Sequence, residues 1–280
     1  MPALAFGSVD VLAGVVVDTT STITATCSGG GGTGQRLCIS IDAGSAGDAT
    51  SRQLVSGGNT IRFDIYSNSG RTQLWGSWQT GYDTAGVTVD VPQNSTTPIT
   101  VYGRLFGSQQ TVVTGSYSST FTVSPFIQYR NNNNTPCPAG GKTANTSTSA
   151  TATVIANCLI STTNINFGST SSLASNIDAN GAVTATCTNT TPYNIGLSVG
   201  TGTGATVAAR KMTSGAKTIT YSLYTNSTRT TVWGNTIGTD TVSGTGNGTN
   251  ASLTVYGRVP AQTVPAAAAY SDTVVVTVTF

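Results

Sequence analysis

The side chains with the most chemistry to offer in this sequence are cysteine and aspartate. Five cysteines stand at 27, 38, 137, 158 and 187, all ten acids are aspartate, and histidine and glutamate are absent. No two cysteines form a CxxC pair, so a zinc site would need thiolates from widely separated segments. Disulfides of an oxidising compartment suit the pattern better. General acid–base catalysis has only aspartate pairs to draw on, and Asp10, Asp18, Asp83 and Asp90 read as turn residues. There is no GxSxG or cysteine–histidine arrangement. The Gly29–Gly32 run lacks the following Lys-Ser/Thr and helix of a phosphate loop. Neither an enzyme nor a cofactor or metal is expected.

The remaining composition describes the elements that carry these residues. Thr, Ser, Gly and Asn dominate, and Val and Ile supply most of the apolar content, which favours extended backbone and turns over helix. A net charge of +2 with 8% charged residues provides no field for nucleic acid or an anionic membrane. No run approaches the roughly 18 apolar residues of a transmembrane segment. Met1-Pro2-Ala3 leads directly into a strand-like segment, so a signal peptide is absent from this sequence.

Self-comparison shows one unit of about 120 residues used twice, the size of a sandwich rather than of a solenoid repeat. Phe6-Gly7-Ser8 matches Phe167-Gly168-Ser169, and Thr24-Ala25-Thr26-Cys27 matches Thr184-Ala185-Thr186-Cys187. The stretch from Asn68 to Trp75-Gly76 matches that from Asn226 to Trp233-Gly234. Val101-Tyr102-Gly103-Arg104 matches Val255-Tyr256-Gly257-Arg258, and Tyr117-Ser118 matches Tyr270-Ser271. Within each copy, runs such as Ile61-Phe63-Ile65 and Val274-Val276-Val278-Phe280 alternate apolar and polar residues, as antiparallel strands do. The expectation is an all-β chain of two tandem Ig-like antiparallel sandwiches: an N-terminal binding domain over 1–125, an Asn/Pro/Gly-rich linker over 126–145, and a C-terminal domain over 146–280.

These motifs, in this order and in both halves, resemble the spore coat protein U domain family, which includes subunits of archaic Csu-type chaperone–usher pili. The resemblance implies a pilin-like sandwich lacking its last strand, filled first by a periplasmic pilus chaperone and later by an adjacent pilin subunit. Assembly then passes through an outer-membrane usher, and the protein is exported through the periplasm to the cell surface. Val274, Val276, Val278 and Phe280 would face the incoming strand, since the sequence ends inside that run. The two-domain layout matches the family's tip subunit, an adhesin attaching cells to abiotic or host surfaces in biofilm formation. A structural coat or shaft protein without surface recognition is the alternative, and a glycan-binding tip using Trp78 and Asp83 a third.

Three further expectations follow from counting strands. The segment 146–156 either donates a strand to the first domain or begins the second. Cys158 and Cys187 lie on adjacent strands and should pair, and Cys38 pairs with Cys137 unless it pairs with Cys27 and leaves Cys137 free. If the first domain's last strand runs toward the linker, loops 10–18, 45–58, 77–87 and 106–116 lie at the far end. There Leu12, Val15, Val16, Trp78, Tyr82, Phe106, Val112 and Val113 would form an apolar, surface-binding cluster, absent from the second copy. Trp75 is excluded because Trp233 repeats it.

Overall fold

The computed structural model describes residues 2–28, 34–79, 82–122, 126–130, 136–137 and 141–280. The Gly29–Gly32 run and parts of the expected linker, 131–135 and 138–140, lie outside the described residues. The chain separates into two compact units, Met1–Ile155 and Ala156–Phe280. Each is a β-sandwich.

The first unit runs β1 (Leu4–Val9), β2 (Val17–Cys27), β3 (Gln35–Ile39), β4 (Ala46–Asp48), β5 (Ser51–Ser56), β6 (Asn59–Tyr66), β7 (Val87–Val91), β8 (Ser95–Leu105), β9 (Gly115–Phe121), β10 (Ile127–Arg130), β11 (Lys142–Ala144) and β12 (Thr148–Val154), with a 3-10 turn at Val11–Ala13. One sheet has the order β1-β12-β9-β5-β6-β8-β2, with β4 on β5, and the other β11-β10-β3-β7. Alternation does what it should: in β9, Tyr117, Ser119 and Phe121 are buried and Ser116, Ser118 and Thr120 are exposed.

β12 settles the question left open by the sequence. It lies antiparallel to β9, with Ala150 opposite Ser119, and parallel to β1, with Ala150 opposite Leu4. Its inward residues Ala150, Ala152 and Val154 are buried. The expected boundaries therefore move. Ile127–Arg130 and Lys142–Ala144, expected as linker, are strands of the first unit, and the chain divides after Ile155 instead of at 145.

The second unit runs β13 (Cys158–Thr163), β14 (Ile177–Cys187), β15 (Pro192–Leu197), β16 (Arg210–Ser214), β17 (Lys217–Tyr224), β18 (Val242–Thr245), β19 (Asn250–Val259) and β20 (Val276–Thr279). Its sheets are ordered β13-β14-β19-β17-β16 and β18-β15-β20. Among the described residues nothing stands where β12 stands in the first unit. β20 pairs with β15 on one side only, and the stretch equivalent to β1, around Phe167-Gly168, forms no strand.

Candidate functional site

The open side of the second sandwich is a site because the duplication supplies its filled counterpart. Tyr117 donates from its hydroxyl to the Val113 carbonyl at 2.8 Å, and Tyr270 repeats this with Ala266 at 2.7 Å. Ser118 pairs with Val55 and Ser271 with Thr213. These relations align Ser119 with Asp272 and Phe121 with Val274. Where β12 fills the first unit, the second has a cavity of about 450 Å³ whose lining includes Ile165, Phe167, Met212, Tyr221, Asp272 and Val274.

The lining of that cavity includes a polar pair, Tyr221 and Asp272. The Tyr221 hydroxyl donates to Asp272 Oδ2 at 2.7 Å, and Asp272 Oδ1 accepts from the Thr201 amide at 2.7 Å and the Thr201 hydroxyl at 2.8 Å. Burial, reinforced by the carboxylate, pushes the Tyr221 phenol well above its ordinary range. Phe63 and Ser119 occupy these places in the first unit, so the second groove has an acid–phenol pair in its lining. Of the four residues expected to face a partner strand, Val274 and Val276 line the cavity. Val278 packs on the second core, and Phe280 is 52% exposed.

The expected surface cluster fares differently. Leu12 is buried by the 3-10 turn that Asp10 caps, and Val112 packs against the core. Trp78 is half-buried, with its indole nitrogen donating to the Val87 carbonyl at 3.4 Å. Tyr82 and Val113 are half-buried, as is Phe106, which lies under the Arg62 guanidinium at 5.2 Å. Val15 and Val16 alone of the eight are exposed, at 63% and 50%. The Ser108 amide donates to the Gly14 carbonyl, so loops 10–16 and 106–114 are neighbours, whereas Trp78 sits by Ser40, its amide donating to the Ser40 hydroxyl.

The end assignment also needs correcting. β1 and β12 finish side by side at Val9 and Val154, and the Ile155 amide donates to the Val9 carbonyl. Loops 10–16 and 106–114 thus share an end with the point where the chain leaves the first unit. The cause is β12 itself: one extra strand running back reverses the exit.

Several structural residues escaped the sequence reading. Arg52 and Arg210 are fully buried. Arg52 donates to the carbonyls of Asp42 at 2.9 Å and Trp75 at 2.7 Å, and Arg210 to those of Ser198 at 2.8 Å and Trp233 at 2.7 Å. Both arginines precede their tryptophan by 23 residues, a repeat spacing that self-comparison could have found. Arg52 also faces the buried Asp64 at 3.3 Å, and burial pushes that carboxyl up to about 6 despite the cation. In the second unit Ser222 takes the place of Asp64. Asp18 and Asp90 are not turn residues; they lie in β2 and β7 and pair with Arg104 and Arg36. Gln109 and Gln262 each clamp a loop to a strand, bonding both backbone groups of Arg62 and Thr220 respectively.

The disulfides are Cys38–Cys137 and Cys158–Cys187, with Cα atoms 5.8 and 4.1 Å apart. Cys27 is a buried free thiol, so the alternative Cys27–Cys38 bridge is not formed. Among the described residues no cluster of potential ligands could hold a metal ion, and no helix is long and apolar enough to cross a membrane.

The family described as the Spore Coat Protein U domain matches residues 1–124 and 144–277. Protein U of Myxococcus xanthus is 36% identical over 129 residues, covering 41% of this chain and 71% of that protein. Among solved structures, the fold resembles the CsuC-CsuE chaperone–tip adhesion subunit pre-assembly complex from archaic chaperone–usher Csu pili of Acinetobacter baumannii. The TM-score is 0.59 at 17% identity, covering 99% of both chains. The family's second match starts at 144, inside the strand pair that completes the first unit, because the sequence repeat and the spatial units are offset by β12.

Proposed function

Because the chain belongs to the spore coat protein U domain family, we propose that it is a pilus subunit whose second sandwich is completed by a strand from another polypeptide. In this reading the donor is first a periplasmic chaperone and, after passage through an outer-membrane usher, an adjacent pilin. The protein is exported to the cell surface, and its two-domain layout supports a position at the pilus tip. One contrast carries the reading: Ala150 fills the slot between Leu4 and Ser119, while the equivalent slot between Ile165 and Asp272 is an open cavity. Strand addition at such an edge gains main-chain hydrogen bonds and buries alternate side chains.

The test is periplasmic production of the full chain with and without a co-expressed pilus chaperone. A soluble one-to-one complex, and aggregation without the chaperone, is expected. A stable chaperone-free monomer with the β20 edge protected from exchange sinks the reading.

Surface attachment is the finer part of the proposal and rests on the exposed pair Val15 and Val16. The burial of Leu12 and the packing of half-buried Val112 against the core favour the second reading, a structural coat or shaft subunit that recognises no surface. A Val15→Ser/Val16→Ser double variant separates the two, since both side chains are solvent-facing and the fold should not notice. Reduced attachment to plastic with normal assembly supports adhesion; undiminished attachment leaves the structural subunit.

A further inference from the structure

The filled edge of the first sandwich carries more information than the presence of a strand. β9 and β10 lie in different sheets, so the last strand of the fold begins in one sheet and ends in the other. Its cover does the same. β12 pairs with β9 from Thr148 opposite Phe121 to Val154 opposite Gly115, and β11 pairs with β10 from Ala144 opposite Ile127 to Lys142 opposite Tyr129. The cover therefore spans the thirteen positions from Lys142 to Val154, with a break at 145–147.

The second unit reproduces the covered strand. Val278 pairs with Ile195 as Ile127 pairs with Ile39, and Trp233 and Trp75 donate to those same two carbonyls. Phe280 thus takes the place of Tyr129. Tyr129 packs on the first core, whereas Phe280 is 52% exposed. Two stretches await cover: Tyr270–Val274 in one sheet and Val276–Phe280 in the other.

We infer that the strand completing the second sandwich is two-part. A first segment pairs antiparallel with Val276–Phe280 and shields Phe280. After a short break, a second segment runs antiparallel to Tyr270–Val274 and parallel to Ile165–Thr170. Its inward residues opposite Asp272 and Tyr270 are small, as Ala150 and Ala152 are, because the Tyr221–Asp272 pair already takes up part of the groove. The inference rests on the strand-addition reading above and specifies the donor's footprint.

The test appends this chain's own residues after Phe280 through a flexible Gly/Ser linker, which turns binding into an intramolecular event. One variant carries residues 142–155 and the other 148–155. Backbone hydrogen exchange in each extended full chain is then compared with the rate of an unstructured chain. The longer extension should slow exchange at least tenfold in both stretches, and the shorter one in Tyr270–Val274 alone. Protection of both stretches by the shorter extension, or of Tyr270–Val274 alone by the longer, overturns the two-part footprint and leaves strand addition standing. Protection of neither stretch by the longer extension, with aggregation undiminished, overturns strand addition as well.

Discussion

The buried guanidinium of Arg210 donates to the carbonyl oxygen of Trp233 at 2.7 Å, tying the edge strand β16 to the segment that follows β17. The same group reaches the carbonyls of Leu197 at 3.0 Å, Ser198 at 2.8 Å and Val207 at 2.7 Å. One side chain thus satisfies the backbone where β15 ends and where β16 begins, and no carboxylate is needed to hold it there. Burial lowers its proton affinity, the direction expected for a cation kept from water.

Arg210→Leu should therefore destabilise the second unit more than loss of one surface charge would. The variant strands four acceptors, those of Leu197 and Trp233 buried and those of Ser198 and Val207 partly so, and a buried acceptor left unmade costs about 1–3 kcal/mol. Because such losses are not additive, the expected total is about 3–5 kcal/mol. Arg210→Lys should recover only part, since an ammonium cannot reach carbonyls on several sides at once. Denaturant titration of the strand-complemented protein reads both; a loss under about 1 kcal/mol for Arg210→Leu contradicts the account.

In the first unit the corresponding arginine has an acid beside it, and this makes a pH prediction. The Asp64 carboxyl is raised from 3.8 to about 6 because burial outweighs attraction to Arg52. Between pH 4 and 6 the folded chain holds a proton there that the unfolded chain has released. Stability from this group is therefore complete below about pH 4 and is lost as pH rises through about 6. The loss is about 2–3 kcal/mol at 1.36 kcal/mol per unit. Asp64→Ser, copying Ser222, should flatten the first unit's stability between pH 4 and 7. An unchanged pH slope in the variant would show that Asp64 is not the titrating group.

β12 offers a packing test with an internal control. Ala152 is 4% exposed against the core, while Thr153 points outward. Ala152→Leu forces extra methylenes into the first core opposite Tyr117 and should cost about 1–3 kcal/mol. Thr153→Leu should change stability by less than about 0.5 kcal/mol. Equal effects of the two substitutions would deny that β12 is seated as described.

Much of this was legible in the residues, and the failures have definite causes. The tryptophan boxes and the strand motifs repeat because they are core, and Trp75 and Trp233 are indeed fully buried. The segment 146–156 read as strand-like, but its neighbours could not be chosen, because Ala150 and Ala152 carry too little apolar bulk to mark a core strand. That one ambiguity displaced the domain boundary and put loops 10–18 and 106–116 at the wrong end. Arg52 and Arg210 were missed because charge ordinarily signals surface. The acid–phenol pair was invisible because Tyr221 and Asp272 are 51 residues apart and meet only through the fold.

The cysteines allow a last prediction that separates chain entropy from local contact. Cys38 and Cys137 close a separation of 99 residues and tie β3 to the chain beyond β10, whereas Cys158 and Cys187 close 29 residues between directly paired strands. In the loop-entropy account the longer closure stabilises by about 4–5 kcal/mol and the shorter by about 3–4 kcal/mol. Cys137→Ser should thus weaken the first unit by more than Cys158→Ser weakens the second, with each effect confined to its own melting transition. Thiol titration anchors the comparison. The unaltered protein should expose one reactive thiol per chain in denaturant and none when folded, because Cys27 is 3% exposed. Three thiols in the denatured protein would contradict the two disulfides, and a larger loss from Cys158→Ser would show that strand contact outweighs loop length here.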